Sequence, residues 1–185
     1  MKARNVFITG ASSGIGKATA YKFAEYGDNL ILCARRKENL NEIAQDIKNK
    51  WRSHVHIYEL DVTNYEDVSS VVKDLEDKDI KIDILVNNAG LASGLDKFQD
   101  SSIEDIEKMI NTNLKGLIYV TRKVIEQMAG ENSGHIINMG STAGIYAYEK
   151  AAVYCASKAA VKTLSVGIRI DIIDKYIKIT TIQQR

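Results

Sequence analysis

Short runs of β-branched and aliphatic residues alternate with stretches of helical spacing along the whole chain. The runs Asn5–Thr9, Asn29–Cys33, Val55–Leu60, Ile82–Asn87, His135–Met139 and Ile177–Ile182 predict six strands. Ile82–Val86 and Ile136–Ile137 are apolar without alternation, as strands buried on both faces require. Between the strands lie amphipathic stretches. Val68, Val71, Val72 and Leu75 mark one helix, and Thr63-x-x-Glu66 before it reads as a capping box. Ser101-x-x-Glu104 opens the next long helix in the same way. The expected fold class is α/β: a doubly wound parallel sheet of six strands in three layers, α/β/α. No repeat or linker interrupts the pattern, so residues 1–185 are expected to form a single domain.

Composition narrows the partners. The chain holds 25 Lys and Arg against 24 Asp and Glu, so no basic excess points to nucleic acid or an anionic membrane. Its two cysteines, Cys33 and Cys155, lack metal-ligand spacing and are too few for a disulfide framework, which fits a reducing compartment. The start, Met1 to Asn5, leads into only a short apolar run, Val6-Phe7-Ile8, not the core of a signal peptide. No window approaches the ~20 apolar residues of a membrane helix. A soluble, cytoplasmic protein without a metal is expected. Proline is absent, where average usage of about 5% would give roughly nine.

In open α/β sheets, ligands bind outside the carboxyl ends of the strands. After the first strand comes Thr9-Gly10-Ala11-Ser12-Ser13-Gly14-Ile15-Gly16, then a helix from about Lys17. Glycines there let backbone pass close to a pyrophosphate, and a helix amino terminus offers free N–H groups. The spacing is G-x-x-x-G-x-G, and a plain connecting turn is the alternative. The second strand ends Leu32-Cys33-Ala34-Arg35-Arg36, with no acid to grip ribose hydroxyls. Guanidinium groups can hold a 2′-phosphate bidentately, so NADP is expected over NAD. The alternative is that Arg35 and Arg36 merely begin a solvated helix.

Tyr154 and Lys158 are four apart on a predicted helix and so share a face. An ammonium near a phenol favours the phenolate, and such a phenol can pass a proton to a carbonyl as a hydride arrives. The pattern itself selects nothing, because Tyr119/Lys123, Tyr146/Lys150 and Tyr154/Lys158 all fit it. A hydroxyl at the correct sheet end decides. Ser141 follows the fifth strand and precedes Tyr154 by 13 residues; Ser133 precedes Tyr146 equally but lies before that strand. Tyr119 sits among Leu117, Ile118 and Val120 and reads as packing. His54, His56 and His135 fall at strand starts, away from the expected cleft, and Cys155 reads as packed.

With Asn87-Asn88-Ala89-Gly90 and Asn113-Leu114-Lys115-Gly116 added, these motifs stand in the order found in the short-chain dehydrogenase/reductase family, from residue 5 to about 183. The chain resembles that family. Gly134 to Gly144, with Arg35-Arg36, is most similar to its NADP-dependent 3-hydroxy acid, or serine-type, dehydrogenases. The resemblance implies a Rossmann-type fold and assigns roles. Tyr154 would be the general acid and base, Lys158 would tune it and hold the nicotinamide ribose, and Ser141 would bind the substrate oxygen. Asn113 would keep a water-linked proton path through Lys158. Gly10, Ser12, Ser13, Gly14, Ile15 and Gly16 would cradle the phosphates. Asp61 and Val62 would meet the adenine, and Asn88, Ala89 and Gly90 would line the nucleotide cleft. For Asp61 alone, a helix-capping turn is the other reading.

The family continues beyond the sixth strand with a Pro-Gly turn, a substrate-covering lid and a seventh strand. Here Gln184-Arg185 stands in place of Pro-Gly. Three accounts fit: a truncated or frame-shifted product, a genuine short form, or a site completed by another chain. The first is preferred. The expected activity is NADP-dependent interconversion of a hydroxyl and a carbonyl on a small polar substrate, a 3-hydroxy acid. Alternatives are reduction of 3-oxoacyl thioesters on a carrier protein, and a non-catalytic NADP-binding form. The resemblance also implies a homo-oligomer, a tetramer packed through helices near 102–129 and 150–174.

Overall fold

A computed structural model describes residues 3–184; Met1, Lys2 and Arg185, including the second residue of the Gln184-Arg185 pair, lie outside them. Six strands form one parallel sheet: β1 (Asn5–Thr9), β2 (Asn29–Ala34), β3 (Val55–Glu59), β4 (Ile84–Asn87), β5 (Gly134–Ser141) and β6 (Ile177–Gln184). Their order is β3-β2-β1-β4-β5-β6. The winding reverses between β1 and β4, the switch point at which such sheets bind ligands. This is a Rossmann-type α/β fold, as the alternation of elements predicts.

Strand alternation divides the core. Val6, Ile8, Leu30, Leu32, Ile84 and Val86 face α1 (Gly14–Glu25) and α2 (Lys37–Lys50) through Ala20, Ala24, Leu40, Ile43 and Ile47. Phe7, Ile31, Leu85, Ile136 and Ile179 face the other way. They meet Val68, Val71, Val72 and Leu75 of α3 (Tyr65–Asp77) and Val120, Val124 and Met128 of α5 (Leu117–Gly130). The last helix, α6 (Ala152–Asp171), buries Val161 and Ser165. Within this apolar layer runs a buried amide chain. Asn87 Nδ2 donates to Thr121 Oγ1 (2.8 Å) and Asn138 Oδ1 (2.9 Å), and Asn138 Nδ2 donates to Ser165 Oγ (2.9 Å). It ties the ends of β4 and β5 to α5 and α6.

Both capping boxes move by one residue. Asn64 caps α3, its Oδ1 accepting from the N–H groups of Glu66 and Asp67, because Thr63 is already bonded to Asp61. Ser102 caps α4 (Ile103–Ile110), accepting from Asp105 N–H. The long helix expected after Ser101 is interrupted by a π-helical turn, Asn111–Gly116, between α4 and α5. The first helix starts at Gly14 and not near Lys17. Ser141 is the last residue of β5, paired with Gln184, and does not follow the strand.

Candidate active site

The carboxyl ends of all six strands open onto one cleft of about 810 Å³. Gly10 and Ser12–Ile15 come from β1, Ala34–Arg36 from β2, Leu60–Val62 from β3, Asn88–Ala92 from β4, Met139 from β5 and Gln184 from β6. Thr112, Tyr154 and Lys158 close it from the helices. Gly16, Asn113 and Ser141, also singled out from the sequence, are buried and do not line it.

The loop after β1 is built for close approach. Gly10 has φ +64°, and a Cβ there would stand 2.9 Å from Ala89 Cα. A Cβ on Gly16 would collide with the Gly10 carbonyl and the Asn88 amide. Asn88 Nδ2 donates to the carbonyls of Thr9 (3.0 Å) and Gly10 (3.1 Å). Thr9 Oγ1 accepts from the N–H groups of Asn88 and Ala89, both at 3.0 Å. These bonds hold the β1 loop against the β4 loop across the switch point.

Ser13 stands at the N-cap of α1 without capping it, and no acidic residue occupies the first turn. The hydroxyls of Ser12 and Ser13 accept instead from Arg36 Nη2, at 3.1 and 2.9 Å. The first-turn N–H groups and positive dipole end are thus left for a ligand, an arrangement that fits a pyrophosphate. Arg35 is exposed at the cleft and has no hydrogen-bond partner among the described residues. Asp61 Oδ1 accepts from Thr63 N–H (2.9 Å) and Oγ1–H (2.8 Å), a local turn, while the residue also lines the cleft.

One turn separates Tyr154 and Lys158 on α6. Lys158 Nζ lies 5.9 Å from the centre of the Tyr154 ring and donates to the Met139 carbonyl at 2.9 Å. Lys158 is only 8% exposed, and burial pushes its pKa below that of an ordinary lysine. Tyr119 packs edge-on against Tyr65, with ring centres 5.2 Å apart, and Tyr146 is 76% exposed. Neither lines the cleft.

Ser141 Oγ accepts from Ala143 N–H at 3.1 Å and points a 3.4 Å bond at the Gln184 carbonyl. Asn113, placed by the π-helical turn, is buried. Its Oδ1 accepts from Leu91 N–H (2.8 Å), and its Nδ2 donates to Leu91 O (2.8 Å) and Ser157 Oγ (3.2 Å). Gly90 separates it from Lys158: a Cβ there would lie 3.2 Å from Asn113 Oδ1 and 3.6 Å from Lys158 Nζ.

Three contributors escape sequence reasoning. Thr9 gives a hydroxyl, Met139 a carbonyl and Ser157 a hydroxyl, and only Thr9, as first residue of the loop motif, carries a readable signal. Cys155 is buried against Ala143, Ala151 and Tyr154. His135 bonds Thr180 through Nε2 at 2.9 Å, at the opposite end of β5 from the cleft. No described helix is long and apolar enough to cross a membrane.

A glycine loop at the switch point of a parallel sheet, facing a tyrosine–lysine pair on a helix, defines a dinucleotide-binding α/β oxidoreductase. The short chain dehydrogenase family model matches residues 4–184. The NADP-dependent 3-hydroxy acid dehydrogenase YdfG of Escherichia coli O157:H7 is 41% identical over 178 residues, covering 96% of this chain and 70% of that protein. The crystal structure of serine dehydrogenase from Escherichia coli superposes with a TM-score of 0.92 at 40% identity, covering 97% of this chain and 81% of that one. The closed form of serine dehydrogenase complexed with NADP+ gives the same TM-score and identity over 97% and 71%. The chain belongs to the short-chain dehydrogenase family.

Proposed function

We propose that this chain is an NADP-dependent oxidoreductase that interconverts a hydroxyl and a carbonyl on a small 3-hydroxy acid, its residues acting as one dinucleotide-binding and catalytic domain. The carrying observation is that Tyr154 and Lys158 line the same cleft as the Gly10–Ile15 loop and Arg35–Arg36. When bound, the nicotinamide supplies or accepts the hydride. Arg35 and Arg36 take the 2′-phosphate, the uncapped start of α1 takes the pyrophosphate, and Asp61 and Val62 bound the adenine end. Asn88, Ala89 and Gly90 form the floor between them.

In the reducing direction the Tyr154 hydroxyl gives its proton to the substrate oxygen. Lys158 stands beside it as a buried cation and stabilises the negative charge left on the phenol oxygen. Ser141 holds the substrate oxygen, exchanging its long bond to the Gln184 carbonyl for that contact. Asn113 clamps the Leu91 segment and faces Lys158 across Gly90, where a water-linked proton path would begin. The setting is the cytoplasm. Self-association into a tetramer would use Ile118 on α5 and Val166 and Ile170 on α6, which are exposed.

The test is titration with NADPH, and NADH as control, followed by energy transfer from Trp51 and the tyrosines to the nicotinamide. Saturable binding that favours NADPH is expected. Equal binding of both removes the assignment of Arg35 and Arg36, and binding of neither removes the cleft.

A further inference from the structure

Gly90 leaves a space where a side chain would otherwise stand. The two side-chain groups nearest a Cβ placed there are Asn113 Oδ1, at 3.2 Å, and Lys158 Nζ, at 3.6 Å. Lys158 has three N–H donors and gives one of them to the Met139 carbonyl. The use of the space therefore depends on which end of the Asn113 amide borders it. An oxygen there suits the ammonium, whereas an NH2 group would set donor against donor.

Two neighbours hold the amide. Leu91 gives its N–H to Oδ1 and takes a proton from Nδ2 on its carbonyl, both at 2.8 Å. Ser157 is the other. Its hydroxyl gives its only proton to the Tyr154 carbonyl at 2.7 Å, three residues back on α6. Toward Asn113 it can therefore only accept, and it does so from Nδ2 at 3.2 Å. Turning the amide over would bring Oδ1 against two acceptors, the Leu91 carbonyl and the Ser157 oxygen. Asn113 and Ser157 are each 1% exposed, so water cannot relieve such a contact. A serine within a helix is weaker than alanine, and a hydroxyl bonded back along its own helix adds little to that helix. The contact that Ser157 adds is the one to Asn113.

We propose that Ser157 is a positioning residue of the active site. It ties the π-helical turn that carries Asn113 to the turn of α6 that carries Tyr154 and Lys158, and it keeps Oδ1 of Asn113 at the space beside Lys158. The inference rests on the reading of Tyr154, Lys158 and Asn113 as the proton-transfer apparatus. Ser157 does not line the cleft and acts through Asn113.

The test is amide hydrogen exchange on Ser157→Ala, a change that removes the oxygen and favours the helix. Leu91 N–H, which rests on Asn113 Oδ1, is expected to exchange about tenfold faster, the worth of one buried hydrogen bond. Ala89 N–H, held by Thr9, is the control and should not change. The same variant should oxidise 3-hydroxypropanoate with kcat lowered about tenfold and the Kd of NADPH unaltered. In an Asn113→Ala background Ser157→Ala should lower kcat no further. Unchanged exchange at Leu91, equal acceleration at Leu91 and Ala89, or losses in kcat that simply add overturns the proposal. Unaltered chain that oxidises neither 3-hydroxypropanoate nor serine overturns the 3-hydroxy acid reading, and exchange at Leu91 still decides the role of Ser157.

Discussion

Lys158 gives its hydrogen bond to the main-chain carbonyl of Met139, at 2.9 Å, and not to a side chain. The strand β5 therefore fixes where this cation sits relative to Tyr154. Lys158→Met should lower kcat/KM about 10²–10⁴-fold, the usual worth of a proton-transfer apparatus, with the circular dichroism spectrum unchanged. The same residue has a pH signature. Its folded pKa lies below the unfolded 10.5, so the unfolded chain binds the extra proton. The stability of the unaltered chain relative to Lys158→Met should rise as pH climbs from the folded pKa to 10.5, measured by urea unfolding.

On the proposed NADP reading Arg35 and Arg36 would divide the recognition of a 2′-phosphate, Arg35 having no hydrogen-bond partner among the described residues and Arg36 resting on the serine hydroxyls. Arg35→Asp should weaken NADPH roughly 10–100-fold, the worth of a charge-assisted contact, and NADH much less. Fluorescence titration with both cofactors reads the ratio.

Two glycines should respond in opposite directions. Gly16→Ala drives a methyl into the Gly10 carbonyl and the Asn88 amide and should cost about 1–3 kcal/mol together with cofactor binding. Gly167 lies inside α6 with nothing near its missing Cβ, so Gly167→Ala should stabilise by about 0.5–1 kcal/mol. Thermal unfolding of both variants makes the comparison.

Tyr58 donates to Asp74 at 2.6 Å, and burial, then this carboxylate, pushes its pKa up to about 12. Because the folded value exceeds the unfolded 10.0, the stabilisation is complete below pH 10 and is lost as pH rises through 12. The stability advantage of the unaltered chain over Tyr58→Phe should shrink across that window in urea unfolding.

The strands and the loop after β1 were legible because apolar runs and glycines report burial and close approach directly. So was the choice of Tyr154 over Tyr119 and Tyr146 as the tyrosine lining the cleft, which followed from sheet polarity. The helix caps were not. Thr63 and Asn64 are both good capping residues, and only the turn made by Asp61 decides between them. The π-helical turn that places Asn113 changes the helical period too little, over six residues, to show in the sequence. Ser141 and Gln184 entered their strands because ladder hydrogen bonds extend β5 and β6 past the apolar residues that announce them. Asn87 ends one apolar run and Asn138 interrupts another, and their mutual bond appears only once β4 and β5 are paired.

Thr9 receives two main-chain N–H groups on one oxygen at the point where the winding of the sheet reverses. Parting the two halves there would break both hydrogen bonds at once, each worth about 0.5–1.5 kcal/mol. The nucleotide half of the cleft is thus a rigid mould whose shape precedes its ligand. On the proposed function, adaptation would fall to the surface segment around Ser93–Asp96, which with Tyr154 lines the small depression beside the cleft. A family of such proteins can therefore exchange substrates by rewriting those few residues without recasting the part that grips the cofactor.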